Sequence, residues 1–218
     1  MSEILLIALL AGVLSLDTTA FGQFMVSRPI VSASIIGYML GNVYAGVWIG
    51  ITIELIWIAA LPMGAAIPLD TTAIAVLSMC WGLAIHPYDS AALILALALA
   101  VGASVIFVRA DIFVRYLNVK IMRWVEAGIK DGKEDRIDMG IYAGLALFFL
   151  KAFVLYLLLI YPGREIVKFV YYYLDEKMLE GFRIAWFLLP VLGMGFMLVS
   201  FRDGKFPCNR FNTTGKQK

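Results

Sequence analysis

The chain has 218 residues, 62% of them hydrophobic, with a mean hydropathy of +0.88 and a formal net charge of +2. That apolar fraction exceeds what soluble globular domains carry. No lysine or arginine falls between Arg28 and Arg109, where Glu54, Asp70 and Asp89 are the only carboxylates. A water-exposed fold is therefore excluded, and lipid is the solvent the sequence calls for.

The apolar runs, in chain order, cover residues 3–16, 29–42, 44–61, 71–85, 90–108, 139–161 and 182–201. The first has the length of a signal-peptide core, but it lacks a basic leader and runs into Asp17 without a cleavage site, so it is expected to be retained. A simple span takes about 20 residues, and several runs are shorter. An all-α, polytopic integral membrane protein with broken or re-entrant helices is the expected fold. Such ends are tolerated only where protein or a water-filled cavity shelters them. Gly37, Gly41, Gly46 and Gly50 recur every four or five residues, a pattern that predicts close helix packing by small residues. Residues 61–70 hold Pro62, Gly64 and Pro68 between apolar flanks and predict a helix break inside the membrane domain.

From Arg109 to Asp138 seven basic residues mix with six acids. Ile112, Phe113, Tyr116, Leu117, Ile121, Trp124 and Val125 keep near-helical spacing there, which predicts an amphipathic interfacial helix and then a solvated turn. The tail from Arg202 carries five basic residues against one acid. The positive-inside rule places both regions in the cytoplasm, and residues 164–180, with Tyr171, Tyr172 and Tyr173, at the other face. Residues 1–201 are expected to form one membrane domain, with a loop at about 109–138, and residues 202–218 a basic polar tail. Cys80 and Cys208 are far apart and without metal-ligand spacing, so both read as unpaired thiols. Lys151 interrupts an apolar run and is expected to snorkel or to sit at a boundary, with pairing to Glu54 or Asp70 as the other reading.

A carboxylate at membrane depth is costly and faces a polar pathway or a partner. Glu54 is a candidate ligand-binding acid, against an ion pair with Arg28. Asp70 is another, against the N-cap of the following helix, since Asp70-Thr-Thr makes a good cap. Asp17 and Gln23 complete the candidate set. In a shielded cavity these carboxylates and the amide would accept hydrogen bonds from a ligand rich in donors. Arg28-Pro29 reads as a turn with charge pairing, Asp89 as a helix N-cap and His86 as a helix-end residue. No metal ligands and no catalytic residues are expected.

Four segments fall in order: Asp17-Thr-Thr-Ala-Phe-Gly-Gln23-Phe-Met-Val-Ser-Arg28-Pro29, Gly37-Tyr-Met-Leu-Gly-Asn42, Gly50-Ile-Thr-Ile-Glu54 and Gly64-Ala-Ala-Ile-Pro68-Leu-Asp70. Together they resemble the membrane subunit IIC of the mannose/fructose/sorbose family of the bacterial phosphotransferase system, and Pro190-Val-Leu-Gly-Met-Gly-Phe196 resembles that family's late glycine-rich helix. The chain departs from the pattern at Asn42, where the family has an acid. It also departs at Pro62-Met63, and after Phe201, where longer relatives continue into another apolar helix.

The resemblance implies a sugar-translocating subunit in the bacterial cytoplasmic membrane, hetero-oligomeric with a IID membrane subunit and served by IIA and phosphorylated IIB. Phosphoryl transfer would then take place on partner subunits, with no cofactor, no phosphorylated residue in this chain and no nucleic-acid partner. The basic loop and tail would offer a docking surface for IIB. Two other readings stay open on residues alone: a non-transporting membrane scaffold or sensor of this fold, and an ion-coupled secondary transporter using Glu54 and Asp70.

Overall fold

The computed structural model describes residues 2–18, 20–57, 69–86, 88–130 and 135–202. Seven helices and no strands form among them: α1 (Ser2–Leu16), α2 (Pro29–Met39), α3 (Val43–Trp57), α4 (Thr71–Gly82), α5 (Ser90–Lys130), α6 (Asp135–Tyr173) and α7 (Glu176–Arg202). The expected all-α membrane architecture is what the chain adopts. Three helices are long and apolar enough to cross a membrane, within Ser90–Lys130, Asp135–Tyr173 and Glu176–Val199. The other four have 11 to 15 residues, about 17–22 Å at 1.5 Å per residue, short of a ~30 Å hydrocarbon core.

The α2–α3 hairpin is closed by local chemistry. Gly41 adopts φ +82°, Asn42 N–H donates to the Gly37 carbonyl at 2.8 Å and Gly41 N–H to that of Tyr38 at 3.2 Å. This is a Schellman stop, with glycine at the left-handed position. Asn42 Oδ1 then accepts from Ala45 N–H at 2.9 Å and starts α3. The predicted small-residue packing is present. A Cβ on Gly50 would lie 2.6 Å from Ile30 Cα, and one on Gly46 would collide with the Ala33 carbonyl. The two backbones can approach this closely only because glycine occupies the seam.

α4 is the central helix, buried on every face from Thr72 to Gly82. It packs against α5, α2, α3 and α6. Trp81 of α4 lies on Gly163 of α6, and its indole N–H donates to the Leu159 carbonyl at 3.2 Å, just before Pro162 in the helix. At the seam of α5 and α6, the Phe107 and Tyr156 rings meet at 4.9 Å. Trp48 Nε1 donates to the Trp186 carbonyl at 2.9 Å and ties α3 to α7.

Two expectations change. The amphipathic stretch after Arg109 is the second half of α5, which runs unbroken for 41 residues. At about 60 Å it is roughly twice the hydrocarbon thickness, and with α6 it forms a long antiparallel hairpin. The apolar and polar halves join because Ala100, Ser104 and Phe107, and Val114 two turns further on, fall along one buried face. Lys151 pairs with Asp111 of α5, rather than snorkelling or reaching Glu54 or Asp70. The predicted break at residues 61–70 lies outside the described residues except for Leu69 and Asp70, and so does the tail from residue 203.

Candidate functional site

The first residue of α2, the last turn of α3 and the first residue of α4 come together at one level of the bundle. Arg28, which precedes Pro29 at the start of α2, donates through Nη1 to Glu54 Oε1 at 2.6 Å. Glu54 is about one-fifth exposed and Arg28 half exposed. The other carboxylate oxygen, Glu54 Oε2, is buried and has no hydrogen-bond partner among the described residues. A carboxylate oxygen in that state is an acceptor without a donor, and leaving it so is costly.

Residues 17–28 approach the same level, and their fold explains Asp17. The loop carries positive φ at Gly22, Gln23 and Met25, conformations that need outside support in non-glycine residues. Asp17 supplies it. Its Oδ1 accepts from Phe24 N–H at 2.6 Å and its Oδ2 from Ser27 N–H at 3.0 Å. The Ser27 carbonyl in turn accepts from Thr72 Oγ1 at 2.7 Å, which stitches the loop to the start of α4. Asp17 thus holds the loop, and Gln23 is exposed on it at φ +51°.

Asp70 caps α4. Its Oδ1 accepts from Ala73 N–H at 3.0 Å with extended backbone dihedrals, as the Asp70-Thr-Thr sequence predicts. The four sequence candidates are therefore arranged unequally. Asp17, Glu54 and Asp70 belong to one connected set through Ser27, Arg28 and Thr72. Gln23 rides on the loop that this set supports.

Sequence reasoning missed a second polar set. The Lys151–Asp111 pair is largely buried, at 10% and 22% side-chain exposure, and both charges act electrostatically on Asp70. One turn away, the fully buried Tyr156 hydroxyl lies 3.3 Å from Ser15 Oγ. The available signal was the 107, 111, 114 spacing, which continues the apolar seam of α5 through Asp111 toward α6.

At the opposite end of α4, Asp89 accepts from Ala91 N–H at 3.1 Å, the predicted cap. It also accepts from Tyr171 Oη and from Arg183 Nε, the latter at 3.2 Å. Burial acts to raise the Asp89 pKa, but the bonds from Tyr171, Arg183 and the Ala91 amide outweigh it and hold the carboxyl below the usual aspartate value. His86 is exposed beside this cluster. Cys80 is buried with a free thiol. Among the described residues no group of three His, Cys, Asp or Glu side chains is placed to hold a metal ion.

Residues 1–206 match the family described as the PTS system sorbose-specific IIC component. The chain belongs to this family. It is a multi-pass membrane protein of the phosphotransferase system, of IIC type. Its relatives include the mannose-specific EIIC component of Escherichia coli K12, 24% identical over 202 residues that cover 92% of this chain and 73% of the relative. The sorbose-specific EIIC component of Klebsiella pneumoniae is 25% identical over 177 residues, 81% of this chain and 65% of the relative. Solved structures that share the fold include the following two. One, described as a membrane protein, superposes with TM-score 0.70 at 22% identity, covering 95% of this chain and 81% of its own. The other is a cryo-EM structure of the mannose transporter ManYZ with microcin E492, with TM-score 0.61 at 23% identity over 92% and 78% of the two chains.

Proposed function

We infer that this IIC-type chain carries a sugar across the bacterial cytoplasmic membrane at the level where α2, α3 and α4 meet, with Glu54 as the principal acceptor. The observation that carries this reading is Glu54 Oε2, buried without a partner while Arg28 holds Oε1. A hexose hydroxyl donates to such an oxygen, and water replaces it when the site is empty. Asp70 and Gln23 add acceptors, and Asp17 keeps Gln23 in place by bracing the loop. Helix ends at membrane depth are where transporters commonly hold substrate.

The α5–α6 hairpin end faces the cytoplasm, supported by its density of Lys and Arg. The membrane partner is a IID-type subunit, in keeping with the two-component ManYZ transporter of the same fold. The phosphoryl group reaches the sugar from phosphorylated IIB, charged by IIA, and IIB docks on the basic hairpin tip and tail. Residues 1–201 act as the membrane domain.

The test is uptake and binding of a panel of labelled hexoses by the chain coexpressed with its IID, IIB and IIA partners. Phosphoenolpyruvate-dependent uptake that Glu54→Gln and Asp70→Asn abolish, with both variants still inserted and assembled, supports the site. Wild-type affinity in both variants removes these residues from it. Uptake that ignores phosphoenolpyruvate and collapses with the proton gradient would identify an ion-coupled carrier instead.

A further inference from the structure

At the end of α3 opposite Glu54 lies a cavity of about 360 Å³. Its walls are Asn42 and Tyr44 at the α2–α3 turn, Tyr88, Ser90 and Leu93 around the start of α5, and Trp186 of α7. That volume is within the range of small-molecule sites. Tyr44 and Tyr88 are 65% and 85% exposed, whereas Trp186 is buried, so the cavity is open at its rim and closed behind. An aromatic ladder backs it. Tyr44 stacks on Trp48 with ring centroids 5.9 Å apart and planes at 22°, and Trp48 on Trp186 at 6.0 Å and 25°. The bond from Trp48 Nε1 to the Trp186 carbonyl holds the ladder in place.

Chemistry and position narrow the choice of ligand. No wall residue is charged, and Arg183, one turn before Trp186, is already paired with Asp89. A phosphate headgroup would find no cation in the wall, and an acyl chain would strand the hydroxyl and amide groups of Tyr88, Ser90 and Asn42. A pyranose meets both needs, with a C–H face for aromatic rings and hydroxyls for the polar groups. The Asp89–Arg183 pair marks the membrane boundary at this end. The basic hairpin tip lies at the other end, so on the orientation proposed above the cavity opens outward. Tyr44 precedes Glu54 by ten residues on α3, about 15 Å. The α3–α7 seam that joins Trp48 to Trp186 continues seven residues on in both helices, where Gly193 lies against Leu55, beside Glu54.

We propose that this cavity is an outer loading site for a hexopyranose, held there before it passes to Glu54. The sugar packs its C–H face on the aromatic wall of Tyr44 and Trp186 and sets its hydroxyls against Tyr88 and Ser90. The class of ligand rests on the sugar-transport reading above. The residues do not, because none of the cavity walls belongs to the Glu54 set. The consequence is a second sugar contact, neutral and aromatic, at the far end of the helix that carries Glu54.

The test is saturation-transfer NMR of the full-length chain in lipid nanodiscs with D-glucose, D-galactose and D-mannose. Mannitol is the control, since it keeps the hydroxyls but has no ring face. At least one hexose should bind, mannitol should not, and the binding should persist in Glu54→Gln. In that background Tyr44→Ala and Tyr88→Ala should each weaken it about fivefold, the equivalent of ~1 kcal/mol for one aromatic contact, while Tyr44→Phe keeps most of it. Tyr173 is 80% exposed at the same membrane boundary and does not line the cavity, so Tyr173→Ala should change nothing. A diazirine-bearing glucose added to the wild-type chain should label peptides containing residues 42–48 and 88–93. If Glu54→Gln abolishes binding and the Tyr44 and Tyr88 variants do not affect it, the loading site is overturned and the Glu54 reading stands. If the tyrosine variants weaken binding and Glu54→Gln does not alter it at all, the loading site stands and the Glu54 reading falls. Binding of none of the hexoses, equal binding of mannitol, an equal effect of Tyr173→Ala, or no label on those peptides overturns the proposal. So does label that disappears in the complex with a membrane partner, which would make the cavity a protein interface.

Discussion

Arg28 and Glu54, 26 positions apart, join the first turn of α2 to the last turn of α3 through a 2.6 Å bond. The bond engages one carboxylate oxygen and leaves the other buried without a partner among the described residues. The ion pair and the proposed sugar contact are thus two halves of one side chain. Arg28 fixes the rotamer, and the second oxygen faces the ligand. Because Arg28 is half exposed, the pair by itself contributes little to stability. Its role is orientation.

Glu54→Gln should therefore separate binding from folding. The amide keeps the shape and one acceptor but removes the charge. A hydrogen bond to a charged group is worth about 1.5–3 kcal/mol, so sugar affinity should fall by roughly 10- to 100-fold. Thermal stability in detergent should change by less than about 0.5 kcal/mol. Isothermal titration alongside a melting curve reads both, and a large loss of stability with intact affinity would reassign Glu54 to structure.

The Lys151–Asp111 pair makes the opposite prediction. Both side chains are largely buried, so removing one leaves an uncompensated charge and should cost about 3 kcal/mol. Lys151→Met and Asp111→Asn should each lower the melting temperature sharply. The double variant should recover most of the loss, because the remaining cost is only that of two neutral groups. If the double variant is as unstable as the singles combined, the pair is not coupled.

This pair also shows how the sequence could be read and where it stopped. Periodicity and absent charge were enough for an all-helical membrane protein, and Asp70-Thr-Thr announced its own helix cap. Gly46 and Gly50 disclosed a tight helix pair because a missing Cβ has one common use in a membrane. Asp111 was hidden because it stands among solvated charges. Only an unbroken α5 turns it onto Lys151, and helix continuity across a change from apolar to charged composition leaves no local mark. Asp17 stayed open between two readings for a related reason. A loop acid and a ligand acid look alike until the backbone folds around one of them, and here the Phe24 and Ser27 amides claim it.

The glycine seam gives a third prediction. A Cβ at Gly50 would stand 2.6 Å from Ile30 Cα and 2.8 Å from the Pro29 carbonyl. Those are backbone atoms, so α2 and α3 must separate. Gly50→Ala should cost about 1–3 kcal/mol and, one turn from Glu54, should also weaken sugar binding. Gly102 of α5 has open space around it, so Gly102→Ala should be neutral or stabilising by up to about 1 kcal/mol through helix propensity. Matched melting curves of the two variants check the contrast, and equal effects would show that the seam is not tight.

At the far end of α4, Asp89 gathers the α5 cap, Tyr171 of α6 and Arg183 of α7 onto one carboxylate. Its folded pKa is lowered, so the sign follows. The stabilisation is fully present above the ordinary aspartate value of about 3.9 and is lost as the pH falls through the lower folded value. Asp89→Asn keeps an acceptor for the Ala91 amide but loses the charge that Tyr171 and Arg183 address. Wild type should melt higher than this variant by a constant margin between about pH 5 and 8, and the margin should close only in stronger acid. Arg183→Gln should reproduce part of the loss, moderated because its side chain is half exposed and screened. Tryptophan fluorescence during heating follows the transition across this pH range. A margin that instead widens toward acid, or one that is already absent at neutral pH, would show that Asp89 acts as a cap alone and does not bind α6 and α7 together.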